Sequence, residues 1–395
     1  MKQIKIIIAS ICRTLLGIVF IFSGAVKAID PLGTVYKIED YLKAFGGIFT
    51  DLLPAAEIAA WSLIILELLL GVCMLLNVRT KWTMWISLLF YSVMTPLTLY
   101  IALTNPVSDC GCFGDAIVLT NWQTFGKNVI LIILAITLVS LKKYLHPLWR
   151  GWMEIVIAAT TVMAISSFML WTIRHLPVID FRPYQVGNHL PTIMEDFEPD
   201  EVEYLYICEK EGVQETFTAA NYPDSTWKLV SWEQKIIKKG YESPIHNFEI
   251  INANGDDLTL DILESSSPIR LVVMYDLSKA DKSQMTKIEA LLEEELAAKT
   301  VESVICDSIG AEEMMSDTTE YIEEDYEEVI PLSSVYILTG SGTEDIESFS
   351  IDYPHLAEYI CTCDPVTLKT IVRANPGVIV LQNGIVIDKY NVRNR

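Results

Sequence analysis

Five apolar stretches constrain this chain more than any other feature. They fall at residues 6–28, 55–77, 82–104, 126–145 and 152–173, each close to the roughly 20 residues a helix needs to cross about 30 Å of hydrocarbon. Lipid offers no water to solvate exposed peptide groups, so segments of this kind span as helices that satisfy their own backbone. The first stretch follows Lys2 and Lys5 as a signal peptide would. It is long for one and four more spans follow, so it reads as a retained helix.

Charge placement orients the bundle, because short cytoplasmic loops keep Lys and Arg. Lys2 and Lys5 precede the first span, Arg79 and Lys81 occupy the second short loop, and Lys142, Lys143 and Arg150 the fourth, whereas residues 105–125 have none. This predicts a multi-pass protein of a bacterial inner membrane. Its N-terminus is inside, and its 105–125 loop and everything after the fifth span are extracytoplasmic.

The two halves differ sharply in charge. Residues 1–175 hold 13 Lys and Arg against 9 Asp and Glu, whereas residues 176–395 hold 16 against 42, giving about +4 and −26. One uniform domain is excluded. So is a nucleic-acid partner, since phosphate neutralisation needs clustered cations. The expected partners are membrane lipid and an envelope protein.

Charges at membrane depth usually pair or mark a pathway. With a rise of about 1.5 Å per residue and antiparallel first and second spans, depth predicts two ion pairs, Arg13 with Glu67 and Lys27 with Glu57. A clamp between the two helices is favoured over a proton or quinone route.

Cys12 and Cys73 lie within spans and read as small buried apolar residues. Cys110, Cys112, Cys208, Cys306, Cys361 and Cys363 fall on the oxidising side of this topology. Two of the intervals are Cys-x-Cys, and a bridge across so small a ring suits exchange better than stapling. Gly111 permits a tight turn between Cys110 and Cys112, and Thr120 with Gln123 has the form of a capping box opening the fourth span. A thiol relay leads over a structural loop disulfide. A metal site is the weakest reading, because two Cys without His make a poor zinc tetrad.

The first span (Arg13, Leu16, Gly17, Phe20, Ser23, Gly24, Lys27, Asp30, Pro31) and the loop from Cys110 to Asp115 before Thr120 to Phe125 resemble the DoxX and MauE family. The likeness covers about residues 5–145. It implies a four-helix bundle similar to the membrane core of vitamin K epoxide reductase, with the fifth span outside it. MauE-like proteins are linked to disulfide formation in maturing methylamine dehydrogenase, and DoxX-like proteins to quinol-linked oxidation. No Cys-x-x-Cys lies in any span here. The residues fix no cofactor; a quinone is one candidate.

After the fifth span, Pro177, Pro183 and Pro191 keep a tether extended. Hairpins are expected at Glu203 to Phe217 and at Phe248 to Ile262, the second turning at Asn254 and Gly255. From Ile269 strands and helices alternate: a strand to Tyr275, a helix from about Asp281 to Lys299, a strand at Val335 to Leu338, and a short helix near Glu344. A strand at Glu358 to Cys361, a helix at Asp364 to Arg373 and a hairpin around Asn383 and Gly384 complete the order. This order resembles a thioredoxin-like domain of the TlpA kind. The likeness is carried by Gly240, Tyr241, Pro244, Phe248 and Gly255, and by Arg373 to Gly377, with Asn375–Pro376 expected to be cis.

Where that family carries Cys-x-x-Cys at a helix N-terminus, this chain has Asp276, Leu277, Ser278, Lys279, Ala280 and Asp281. Ser278 without an adjacent His reads as a helix cap. Cys361 and Cys363 are a second thiol pair, for which packing is favoured over chemistry. The run from Glu312 to Glu328 reads as a solvated acidic insertion, and the five histidines are scattered.

The expected fold is an α-helical membrane bundle followed by an α/β thioredoxin-like domain with a β lead-in. Its boundaries are 1–150 for the four-helix domain, 151–176 for the fifth helix, 177–262 for linker and hairpins, and 263–395 for the degenerate domain. Two functions compete: Cys110 and Cys112 exchanging disulfides with an envelope partner, and a non-enzymatic scaffold whose degenerate domain binds one.

Overall fold

A computed structural model describes residues 2–394 except 108, 146–147, 150, 211, 239, 242, 246 and 295–332. Cys306, the acidic run 312–328, Arg150, His146 and His246 therefore lie outside the described residues. The chain divides into two compact units, the first being Met1–Arg182 with Val372–Gly377 and Tyr390–Arg395, the second Pro183–Ile371 with Val378–Lys389.

The first unit is built from α1 (Lys2–Ile29), α2 (Pro31–Phe45), α3 (Ala56–Leu75), α4 (Thr80–Thr104), α5 (Asn121–Ser140) and α6 (Gly151–His175). A 3-10 segment, Gly47–Ala55, runs into α3, and five helices, all but α2, are long and apolar enough to span. The fourth span begins at Asn121 rather than 126. The Thr120 hydroxyl accepts from the Gln123 amide while the Gln123 side chain accepts from the Thr120 amide, so the box starts the helix before its apolar run does.

The helix α2 has no counterpart among the expected elements. Asp30 accepts from the Gly33 amide at 2.9 Å and Pro31 takes the first turn, which is a strong helix start. Between the spans, α1 packs most extensively on α3, and α4 on α5. Gly24 makes the α1–α3 approach possible, since a Cβ there would lie 2.6 Å from Leu68 Cγ. The interior is filled by Leu16, Phe20, Leu70, Met74, Leu131 and Leu138.

In the second unit β1 (Glu201–Lys210), β2 (Val213–Thr218) and β3 (Lys228–Lys238) form a sheet ordered β2-β1-β3. A five-stranded sheet has the order β6-β5-β4-β7-β8, from β4 (Ile269–Val273), β5 (Val335–Thr339), β6 (Ile360–Thr362), β7 (Gly377–Gln382) and β8 (Ile385–Asn391). Strands β4, β5 and β6 run parallel. Asn383 and Gly384 turn β7 into β8 with φ of 49° and 69°, the signs a two-residue hairpin demands.

The second expected hairpin is not a hairpin. The chain turns at residues 252–255 and closes one bridge, Ile251 with Asp257. Its second limb is a helix, Thr259–Glu264, that buries Ile262 and Leu263. The Asn375–Pro376 bond is cis.

Candidate thiol site

Depth alone misassigned the buried charges. Lys27 pairs with Glu67, its Nζ 2.7 Å from Oε2 and 2.8 Å from Oε1, whereas Glu57 is exposed. Arg13 instead donates from Nη1 to the Met74 carbonyl at 2.8 Å. The cause is the tilt of every Cα–Cβ bond toward its own helix N-terminus. In antiparallel α1 and α3, Lys27 and Glu67 therefore lean toward one another across a stagger. Arg13 leans the other way and meets the unpaired carbonyls at the end of α3.

This buried pair is wired to the thiol loop. The Ser23 hydroxyl accepts from Lys27 at 2.8 Å and lies 2.8 Å from Glu67 Oε2 and 2.7 Å from the Cys112 carbonyl. Its one proton serves either acceptor. A loop bonded to an ion pair inside the bundle has a defined position, which an ordinary surface connection lacks.

Within the loop, the Asp109 carboxylate accepts from the Gly111 amide at 2.8 Å and from Lys37 of α2 at 2.8 Å. Gly111 has φ of +62°, and a Cβ there would sit 2.8 Å from Lys37 Cγ, so glycine is required both for the turn and for contact with α2. The turn brings Cys110 and Cys112 Sγ to 2.9 Å. Both side chains are half-buried.

The two sulfurs are electrostatically unequal. Cys112 is held below the ordinary thiol range by the hydrogen bond from Cys110, with the Lys127 and Lys27 ammoniums adding to it against the opposing effect of burial. Cys110 is pushed up by that same bond and by burial. Nearby, Tyr41 donates to the Asp109 carbonyl at 3.4 Å. Burial, then the neighbouring Cys110 sulfur, raises its own proton affinity. One thiolate beside one thiol is the charge state from which disulfide exchange starts.

Both cysteines line a cavity of about 360 Å³ among α1, α2, α3, α4, α5 and the segment 177–182. Sequence reasoning missed several of its polar residues, among them Lys37, Tyr41, Tyr91, Lys127 and Asn128. Lys127 is legible as a lone cation two turns into an apolar span, its ammonium 4.1 Å from the Phe113 ring centroid. Asp30 and Asp115 face Arg373, at 2.8 and 3.5 Å, within the first unit.

Cys361 and Cys363 lie in the second unit at the end of β6, 2% and 8% exposed. Burial pushes both thiols up to about 12. The N-terminus of the next helix is already occupied, as Asp364 accepts from the Thr367 amide at 2.7 Å. Cys12, Cys73 and Cys208 are also buried, and all seven described cysteines are free. After β4, the Asp276 carboxylate accepts from Ser278 Oγ at 2.6 Å and from the Lys279 amide at 3.2 Å. Ser278 is thus part of a local turn. Among the described residues no cluster of three or more His, Cys, Asp and Glu could hold a metal ion.

Five apolar helices of spanning length make this a multi-pass membrane protein, with a strand-containing region after them. Residues 5–141 match the family model described as methylamine utilisation protein MauE, so the membrane bundle is MauE-like. Residues 202–239 match a domain of unknown function (DUF8463), a range that spans β1 to β3. No curated protein and no solved structure gives a match.

Proposed function

We propose that the protein works in thiol redox of the bacterial envelope, with Cys110 and Cys112 exchanging a disulfide with an extracytoplasmic partner protein in a maturation role of the MauE type. The observation that carries this reading is the asymmetry of the pair. Two sulfurs 2.9 Å apart share a turn tied to Lys37 and Ser23, and two ammoniums favour the thiolate on Cys112. The loop's freedom from Lys and Arg supports an extracytoplasmic location on an inner membrane.

The second unit is read as thioredoxin-like without the catalytic thiols. Its parallel β4-β5-β6 strands and closing β7–β8 hairpin support this, and the turn around Ser278 leaves it no nucleophile there. Its role is then to bind the partner. The test is exchange between reduced full-length protein and oxidised glutathione. Wild type should form the mixed disulfide, and Cys110→Ser and Cys112→Ser should each interrupt the cycle. Unimpaired maturation of an envelope client by both serine variants would favour a non-enzymatic scaffold.

A further inference from the structure

We infer that Arg373 is a positioning residue for the Cys110–Cys112 loop, its guanidinium bridging Asp115 at the end of that loop to Asp30 at the start of α2. This rests on the thiol-exchange reading above. It adds a control over the thiols that comes from outside residues 5–141, the part of the chain that is MauE-like.

The guanidinium sits in a box shaped for it. Arg373 belongs to the first unit and is 7% exposed. Its Nε donates to Asp30 Oδ2 at 2.8 Å, and its Nη2 lies 3.5 Å from Asp115 Oδ2. The Tyr36 ring covers one face, 5.2 Å from centroid to the guanidinium carbon, as cations favour. Gly33 supplies the room, because a Cβ there would lie 2.9 Å from Arg373 Nη2 and 2.5 Å from Asp30 Oδ2. Gly33 is not among the residues at positive φ, and it lies in the first turn of α2. A glycine inside a helix costs stability, so space for the guanidinium is what it provides.

Electrostatics say which side moves when the bridge is lost. Against the upward push of burial, Arg373 holds Asp30 below the ordinary carboxylate range. Burial lifts Asp115, an effect that Arg373 opposes and Asp30 adds to. The nearby Arg182 is committed to Asp180, donating to it at 2.7 and 3.0 Å. Without Arg373 two carboxylates would face one another, and like charges repel. Asp30 is fixed, since it accepts from the Gly33 amide at 2.9 Å and caps α2. Asp115 is exposed and rides on the loop, so the loop gives way.

That displacement reaches the sulfurs through a short backbone. Asp115 follows Cys112 by three residues, and the Gly114 amide donates to the Gly111 carbonyl at 3.1 Å. The loop has three ties: Asp109 to Lys37, the Cys112 carbonyl to Ser23, and Asp115 to Arg373. Around Cys112 stand Cys110, the Lys127 and Lys27 ammoniums that favour its thiolate, and Glu67 that opposes it. A loop freed at Asp115 lets Cys112 drift from both ammoniums. Arg373 therefore acts on the thiol by holding it near charge, without touching it.

The experiment uses purified full-length protein in detergent. Alkylation of Cys112 by iodoacetamide is followed across pH by fragment mass spectrometry, and exchange with oxidised glutathione is timed in parallel. Arg373→Met should move the alkylation inflection to higher pH and slow exchange about tenfold, within the range of coupled charge networks. Gly33→Ala keeps every charge and favours the helix, yet crowds the guanidinium. It should reproduce most of both changes in protein that still unfolds cooperatively, which loss of folding would not do. Because Arg373 acts through Asp115, adding Asp115→Asn to Arg373→Met should slow exchange no further. Effects of those two substitutions that multiply would overturn the inference, as would an inflection that neither Arg373→Met nor Gly33→Ala moves. A wild type inert to glutathione whose alkylation inflection still shifts as expected would overturn the exchange reading and leave the positioning role of Arg373 standing.

Discussion

The chain contains two Cys-x-Cys pairs, and the structure treats them oppositely. Cys110 and Cys112 flank a glycine at positive φ, in a turn that closes the sulfurs to 2.9 Å beside two ammoniums. Cys361 and Cys363 flank Thr362 at a strand end, packed away from water, with burial the largest influence on both and no cation among the causes that shift them. Identical spacing therefore says little. What separates a reactive pair from a packed one is the backbone conformation of the residue between and the charge facing the sulfur.

The contrast can be broken most directly at the thiols. Cys112→Ser should eliminate attack on oxidised glutathione and Cys110→Ser should stop the cycle at the Cys112–glutathione mixed disulfide, while Cys361→Ala and Cys363→Ala together leave the rate at the wild-type value; a rate that followed the second pair would invert the comparison. Next in size is the ion pair beneath the reactive loop. Glu67→Gln or Lys27→Met leaves one buried charge uncompensated and should cost about 3–5 kcal/mol, read as a fall in the unfolding midpoint in detergent. Unchanged stability would mean the pair does not clamp α1 to α3.

A pH profile sharpens the electrostatic half. Because the Cys112 thiol is held low, its alkylation should remain fast below the ordinary thiol range and fall only as acid protonates it. Lys127→Met removes a favourable charge and should move that inflection upward, slowing alkylation at neutral pH; Cys361 and Cys363, held at about 12, should stay unreactive until strongly alkaline conditions. The smallest effect is Gly111→Ala. Forcing an L side chain to φ of +62° costs about 1–2 kcal/mol, and the new methyl would press on Lys37, so exchange should slow several-fold with the bundle intact.

Much of the membrane half was legible in the sequence, because span length is fixed by bilayer thickness and the capping box at Thr120 is local. The helix α2 was not, though Asp30 and Pro31 announce it, since its composition is too mixed to stand out beside the spans. The ion pairs were mispaired because depth was counted along helix axes without the N-terminal lean of side chains. The hairpin expected to end at Ile262 failed for a different reason: Leu258, Ile262 and Leu263 follow a helical spacing, not an alternation. Strand β3 escaped notice because it is exposed along its whole length and so shows no buried face to read. Tyr91 could not have been picked out, since an aromatic within a span is ordinarily packing and only the cavity beside its hydroxyl distinguishes it.

The most direct test of the account traps thiols in intact membranes with a size-shifting maleimide, before and after reduction, and assigns each label to its cysteine by mass spectrometry. The account predicts that Cys110 and Cys112 occur in both oxidised and reduced states and shift together when reductant is added, while Cys361 and Cys363 stay in one state throughout. Cys110 and Cys112 frozen in a single state under every condition would contradict it and make the loop a structural turn.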